Sequence, residues 1–176
     1  MSMWVFGYGS LLWNPGFDVV ETRLARLVGY RRSFCMRSIH HRGTDADPGL
    51  VLALDESPDA YCDGVALRVV KGKEATTLDY LRERELISSA YVERTLKVRL
   101  GDGSTVSALV YVIDADHIQY CGGLPLEEQA QIIASAHGGM GPNSEYLINT
   151  GRHLVEIGIE DTELQWLCAR VGQLAG

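Results

Sequence analysis

The chain has 176 residues, of which 46% are apolar and 22% charged, with a formal charge of −7. That length supports one globular core burying roughly 70% of the unfolded surface, so no disulfide or metal staple is required. The acidic balance disfavours nucleic acid or an anionic membrane as a partner, with Arg31-Arg32 as a local basic spot.

In chain order, strands come first. Trp4–Tyr8 opens and Leu24–Ser38 follows. Leu50–Leu54 and Gly64–Val70 read as two strands separated by a turn at Ser57-Pro58-Asp59. Glu74–Ile87 reads as a helix. Val92–Leu100 and Thr105–Ile113 flank Gly101-Asp102-Gly103-Ser104, a strong hairpin signal. Helices then dominate. Leu126–Ala136 is stopped by Gly138-Gly139. A third helix starts near the cap residues Asn143-Ser144 and ends near Gly158, and a fourth runs from about Asp161 to Leu174. The order predicts a single α+β domain over residues 1–176 with an antiparallel or mixed sheet.

Cys35, Cys62, Cys121 and Cys168 form no C-x-x-C pair. Cys168 shares helical spacing with Leu164, Leu167 and Val171 and reads as a core residue. No signal-peptide pattern and no run of membrane-spanning length is present, so the expectation is a reducing cytoplasm.

Three patches carry potential chemistry. The first is Gly7-Tyr8-Gly9-Ser10, at the end of an apolar strand. Leu12 stands where a dinucleotide fingerprint needs glycine. No Gly-Lys-Ser/Thr completes a phosphate loop, and Tyr8 and Leu12 occupy the glycine places of a nucleophile elbow. Two readings stand: a tight barrel corner or bulge, or a turn whose glycines allow positive φ and expose backbone N–H groups to an anion or oxyanion.

The second patch is the helix around Leu78-Asp79-Tyr80-Leu81-Arg82-Glu83-Arg84-Glu85. At 100° per residue Glu85 shares a face with Leu78 and Leu81, whereas Glu83 falls near Asp79 on the solvated side. An inward carboxylate is costly unless paired or functional. Glu85 is therefore either a salt-bridge partner, for an arginine of the strands, or a base whose pKa burial raises.

The third patch, His137-Gly138-Gly139-Met140-Gly141-Pro142-Asn143-Ser144-Glu145-Tyr146-Leu147, has three glycines in four residues. It reads as a flexible turn feeding a helix N-terminus, as a C-cap followed by an N-cap, or as a carboxylate site. Tyr146 either packs in the core or lends its hydroxyl to a cleft. His40-His41-Arg42-Gly43 has no metal-ligand spacing, nor do His117, His137 and His153, so a surface or loop role is expected and no metal.

Together these pieces resemble the γ-glutamylcyclotransferases. Val5-Phe6-Gly7-Tyr8-Gly9-Ser10-Leu11 is similar to their signature loop. Its extension through Trp13 and Phe17, with His41-Arg42-Gly43 and Pro48-Gly49, resembles the ChaC branch, which acts on glutathione. Tyr80-Leu81-x-x-Arg84-Glu85 resembles the pattern carrying the family's catalytic glutamate, and Gly141-x-Asn143-x-Glu145-Tyr146-Leu147 is a fourth match. Two departures stand out. Leu86-Ile87-Ser88-Ser89-Ala90-Tyr91 lacks a glycine pair common in the family, and Met140 replaces a common serine.

The resemblance implies a small mixed β-barrel with flanking helices. It implies an enzyme with no cofactor and no metal, converting glutathione to 5-oxoproline and Cys-Gly. Glu85 would be the acid/base, with Val5, Phe6, Gly7, Tyr8, Gly9, Ser10, Leu11 and Tyr146 binding substrate. The alternatives are a cyclotransferase for another γ-glutamyl amino acid or amine, and a non-catalytic regulatory binding module.

Overall fold

The computed structural model describes residues 2–86 and 90–175. The fold divides into two compact units, one of Met1–Arg32 with Leu54–His117, the other of Ser33–Ala53 with Ile118–Gly176.

The first unit holds a closed five-stranded barrel in the order β1-β3-β2-β4-β5. The strands are β1 (Trp4–Gly7), β2 (Val19–Ser38), β3 (Gly49–Val69), β4 (Tyr91–Leu100) and β5 (Thr105–Ile113), and the unit boundary falls within β2 and β3. β1 runs antiparallel to β3, Trp4 opposite Arg68 and Gly7 opposite Val65. It runs parallel to β5, Trp4 opposite Ala108, and this pairing closes the barrel and makes the sheet mixed, as expected. β4 and β5 form the predicted hairpin, with Arg99 opposite Thr105. At its tip the Asp102 carboxylate accepts from both the N–H and the hydroxyl of Ser104, and Gly103 takes φ +88°.

β3 corrects one expectation. Ser57-Pro58-Asp59 is not a turn but the middle of one continuous strand. Glu56, Pro58, Asp59 and Tyr61 are exposed there, so a turn-like composition reflects solvation rather than chain reversal. A proline in a strand is tolerated where its missing N–H is not needed for pairing. β2 also begins five residues before its expected start, through the alternating segment Val19–Arg23.

Helix α1 (Glu74–Glu85) belongs to this unit. Its expected last residue, Ile87, lies outside the described residues. Leu81 is fully buried and packs in a cluster with Val5, Leu11, Val69 and Tyr111. One helix thus joins three barrel strands, β1, β3 and β5, to the segment that follows β1.

The second unit is helical: α2 (Leu126–Ser135), α3 (Asn143–Glu156) and α4 (Thr162–Ala175). α3 buries Tyr146, Leu147, Thr150, Gly151 and Leu154, the i, i+3/i+4 stripe of an amphipathic helix. A Cβ on Gly151 would lie 2.6 Å from Cys168 Sγ, so glycine lets α4 approach α3 closely. Cys168 is only partly buried in that contact, while Leu164, Leu167 and Val171 are buried. Asp161 caps α4 by accepting from the Leu164 N–H at 3.0 Å.

The glycine patch between α2 and α3 is a short hairpin, β6 (His137–Gly138) with β7 (Gly141–Pro142). Its N–H groups at Gly139 and Met140 bond the carbonyls of His40 and His41, both at 2.8 Å. A Cβ on Gly138 would overlap the backbone of residues 41–43. Two motifs nearly a hundred residues apart therefore meet backbone to backbone, and the glycines serve that approach.

Candidate active site

Val5 and Phe6 are fully buried and Leu11 nearly so, so their side chains belong to the core. Neither Gly7 nor Gly9 adopts positive φ, which corrects that part of the sequence reading. Close packing is the operative reason for Gly7: a Cβ there would come within 3.2 Å of Leu11 Cβ and 3.3 Å of Val65 Cγ2. Gly9 caps a single 3₁₀ turn, Ser10–Leu12, whose first bond runs from the Leu12 N–H to the Gly9 carbonyl at 2.9 Å. The leading N–H groups of such a turn have no acceptor within it.

Tyr8 is buried, and its hydroxyl donates to the Tyr111 carbonyl of β5 at 3.2 Å. Its own carbonyl accepts from Arg32 Nε at 3.1 Å. The rest of that guanidinium grips the Asp63 carbonyl through Nη1, at 3.0 Å, and Nη2. Arg32 is thus buried and spent inside the fold rather than forming a basic surface spot; only Arg31 is exposed. In a planar trans peptide the carbonyl and N–H point opposite ways, so holding the Tyr8 carbonyl also sets the direction of the Gly9 N–H.

Helix α1 carries both candidate acids as its geometry predicts. Glu83 is exposed, whereas the Glu85 side chain is 15% exposed. Burial raises the Glu85 pKa above the ordinary carboxylate value, and the neighbouring Arg84 charge pulls it back only in part. The Arg84 Nε stands 3.5 Å from Glu85 Oε1. The cation beside Glu85 therefore comes from its own helix, not from the strands.

Arg84 stands in the motif Tyr80-Leu81-x-x-Arg84-Glu85, but the sequence assigned it no role. Its Nη2 donates to Ser10 Oγ at 2.9 Å. Its Nη1 reaches the carbonyls of Asn14 (2.6 Å) and Pro15 (2.9 Å) and the Tyr80 hydroxyl (3.1 Å). Gly16 follows at φ +76°, and a Cβ there would overlap the Tyr80 hydroxyl. Ser10, accepting from Arg84, keeps its own O–H available to donate. The signal in the sequence was the place of Arg84 in that motif, beside the candidate acid.

Below this pair lies a second network. The Tyr111 hydroxyl donates to Glu93 Oε1 at 2.9 Å, and Arg82 grips the same carboxylate at 3.1 and 3.0 Å. Burial, the Glu93 hydrogen bond and the charges of Glu93 and Glu85 all hold the Tyr111 proton on.

Tyr146 and Asn143 belong to the second unit. The Tyr146 hydroxyl accepts from the Leu52 N–H at 3.1 Å, and its ring meets Phe34 edge-on, centroids 6.1 Å apart. Arg42 is buried, with Nη1 on the Pro142 carbonyl at 3.0 Å and its guanidinium 5.8 Å from the Tyr146 ring. Asn143 is fully buried and makes no side-chain cap; it bonds both the N–H and the carbonyl of Leu50 at 2.8 Å. His40 and His41 are exposed. Among the described residues no cluster of His, Cys, Asp and Glu is arranged to hold a metal ion, and no helix is long and apolar enough to cross a membrane.

The chain is similar to known proteins along nearly its whole length. The family model described as ChaC-like protein matches residues 3–174. A glutathione-specific gamma-glutamylcyclotransferase of Escherichia coli (strain K12) is 37% identical over 172 residues, 98% of this chain and 74% of that one. Gamma-glutamylcyclotransferase 2-3 of Arabidopsis thaliana is 33% identical over 177 residues, 97% of this chain and 89% of that one. Among solved structures, the selenomethionine-labelled yeast γ-glutamylcyclotransferase specific to glutathione superposes with a TM-score of 0.87 at 25% identity, covering 98% of this chain and 96% of its own. The barrel, the signature turn and the inward glutamate are accompanied by a family match along nearly the whole length, and the chain belongs to the ChaC-like family.

Proposed function

We propose that this chain is a γ-glutamylcyclotransferase that cleaves glutathione to 5-oxoproline and Cys-Gly. The observation that carries the reading is Glu85, a partly buried carboxylate of raised pKa whose neighbour Arg84 is bonded to Ser10 of the signature turn. The names of the relatives supply the substrate.

A γ-glutamyl amide contains its own nucleophile. The substrate α-amine attacks the γ-carbonyl carbon, a C–N bond closes the five-membered ring, and the amide bond to the leaving amine breaks. The attacking nitrogen must give up two protons between α-ammonium and lactam N–H, one to solvent to free the amine and one as the ring closes, and the departing nitrogen must gain one as its bond to carbon breaks. Glu85 takes the proton released on ring closure and returns it to the departing nitrogen, which a carboxylate of raised pKa does better than an ordinary one. No step requires a metal or cofactor. The protein folds the substrate so that amine and carbonyl meet.

Negative charge grows on the γ-carbonyl oxygen. The backbone N–H groups of the Tyr8–Leu11 turn are its proposed donors, and one such donor is typically worth about 3 kcal/mol in the transition state. Ser10 is a binding group through its hydroxyl. The resemblance assigns Tyr146 to substrate contact. Residues 1–176 are a single γ-glutamylcyclotransferase-like domain in this reading, supported by a family match spanning residues 3–174. Four cysteines without a C-x-x-C pair and the −7 charge support a reducing cytoplasm with no nucleic-acid or membrane partner.

The test is 5-oxoproline release from reduced glutathione by wild type, Glu85→Gln and Glu83→Gln. Wild-type turnover that Glu85→Gln loses while still binding glutathione, and that Glu83→Gln keeps, is expected. Full activity in Glu85→Gln would remove Glu85 from the chemistry. Release only from other γ-glutamyl compounds would keep the reaction class and change the substrate.

A further inference from the structure

We propose, resting on the reading of Glu85 above, that Arg84 is a positioning residue: one guanidinium fixes the signature turn against helix α1 and sets the charge beside the acid/base. The two tasks fall on different edges of the same planar group. Nη1 and Nη2 hold the Asn14 and Pro15 carbonyls and Ser10 Oγ at 2.6, 2.9 and 2.9 Å. The partners lie 69–74 residues away in the chain, so the contacts tie the whole of the turn after β1 to the helix. Nε faces the Glu85 carboxylate at 3.5 Å. With its side chain 19% exposed, Arg84 interacts in a partly dry environment where its charge is felt strongly.

A guanidinium can do both tasks because its donors fan out in one rigid plane; an ammonium offers the charge without the fork. The turn holds the proposed oxyanion donors and Glu85 moves the proton, so their separation fixes the distance over which the substrate must react. A 1 Å misplacement of such groups can cost about 10²-fold in rate.

Among the described residues, Arg84 of α1 faces Glu85 and is itself bonded to the Tyr80 hydroxyl and to Ser10 Oγ. From β5 there is Tyr111, whose phenol feels the Glu85 charge and stays protonated, and behind it Glu93 of β4 with its charge matched by Arg82. Arg84 is the adjacent cation, and its removal increases the proton affinity of Glu85.

Three variants separate charge from fork: Arg84→Lys, Arg84→Met and Arg84→Gln, the last keeping polar bulk should methionine not fold. For each, the acid limb of kcat/KM against pH is measured with glutathione, and the Glu85 carboxyl is titrated directly by ¹³C NMR. The limb and the NMR midpoint should move to higher pH in Arg84→Met and Arg84→Gln and stay in place in Arg84→Lys. Arg84→Lys should still lose about 10²-fold in kcat, because the turn is no longer held. A limb and midpoint unchanged in the neutral variants, or full kcat in Arg84→Lys, would overturn the proposal. If wild type turns over no γ-glutamyl compound, the enzymatic reading fails instead, and the NMR midpoints still decide whether Arg84 sets the protonation of Glu85.

Discussion

Asn143→Ser separates two explanations of the same residue. Asparagine at the start of α3 reads as a helix cap, and serine caps helices about as well. If capping were its task, the substitution would be nearly neutral. Instead the side chain lies fully buried against β3, accepting from the Leu50 N–H and donating to the Leu50 carbonyl, each at 2.8 Å. Serine is too short to span both groups. Leu50 is itself fully buried, so two backbone groups would be stranded away from water. Each unsatisfied group costs about 1–3 kcal/mol, giving a loss of about 2–6 kcal/mol. For a chain of this size each kcal/mol shifts the melting temperature by about 2–4 °C. Urea unfolding should show a lower midpoint at unchanged slope, the signature of lost stability rather than a changed denatured state. A loss below about 1 kcal/mol would refute the tie between Asn143 and Leu50.

Two further outcomes follow from the barrel unit. Gly64→Ala places a Cβ onto the Gly7 carbonyl and 2.9 Å from Phe6 Cζ, and a backbone carbonyl inside a strand pair cannot yield as a side chain would. A destabilisation of about 1–3 kcal/mol is expected by thermal melting, with 5-oxoproline release falling as β1 shifts; unchanged melting would contradict the packing described. Glu85→Gln should melt higher than wild type at neutral pH. Glu85 holds its proton more tightly folded than unfolded, so ionising it costs native stability as pH rises through its folded pKa. Below the unfolded carboxylate value, about 4, both states are protonated and the advantage of glutamine disappears. Melting curves from pH 4 to 8 check the trend, and a difference that is constant or grows toward acid would contradict it.

The sequence by itself determined what depends on near neighbours. Gly101-Asp102-Gly103-Ser104 specifies its hairpin because the turn bonds run between adjacent residues. Helical phase alone turned Glu85 inward and Glu83 outward, since 100° per residue needs only the positions of Leu78 and Leu81. The motif order from Val5 to Leu147 was enough to suggest the family. Tertiary structure decided the rest. Whether Ser57-Pro58-Asp59 turns or continues depends on the strands beside it, and Asn143 bonds a residue 93 positions away. Arg32 reaches the Tyr8 carbonyl and Arg84 reaches Ser10 across 24 and 74 residues. Such partners leave no periodic trace in the chain, because a long polar side chain bonds whatever carbonyl or hydroxyl the closed barrel brings within 3 Å of it.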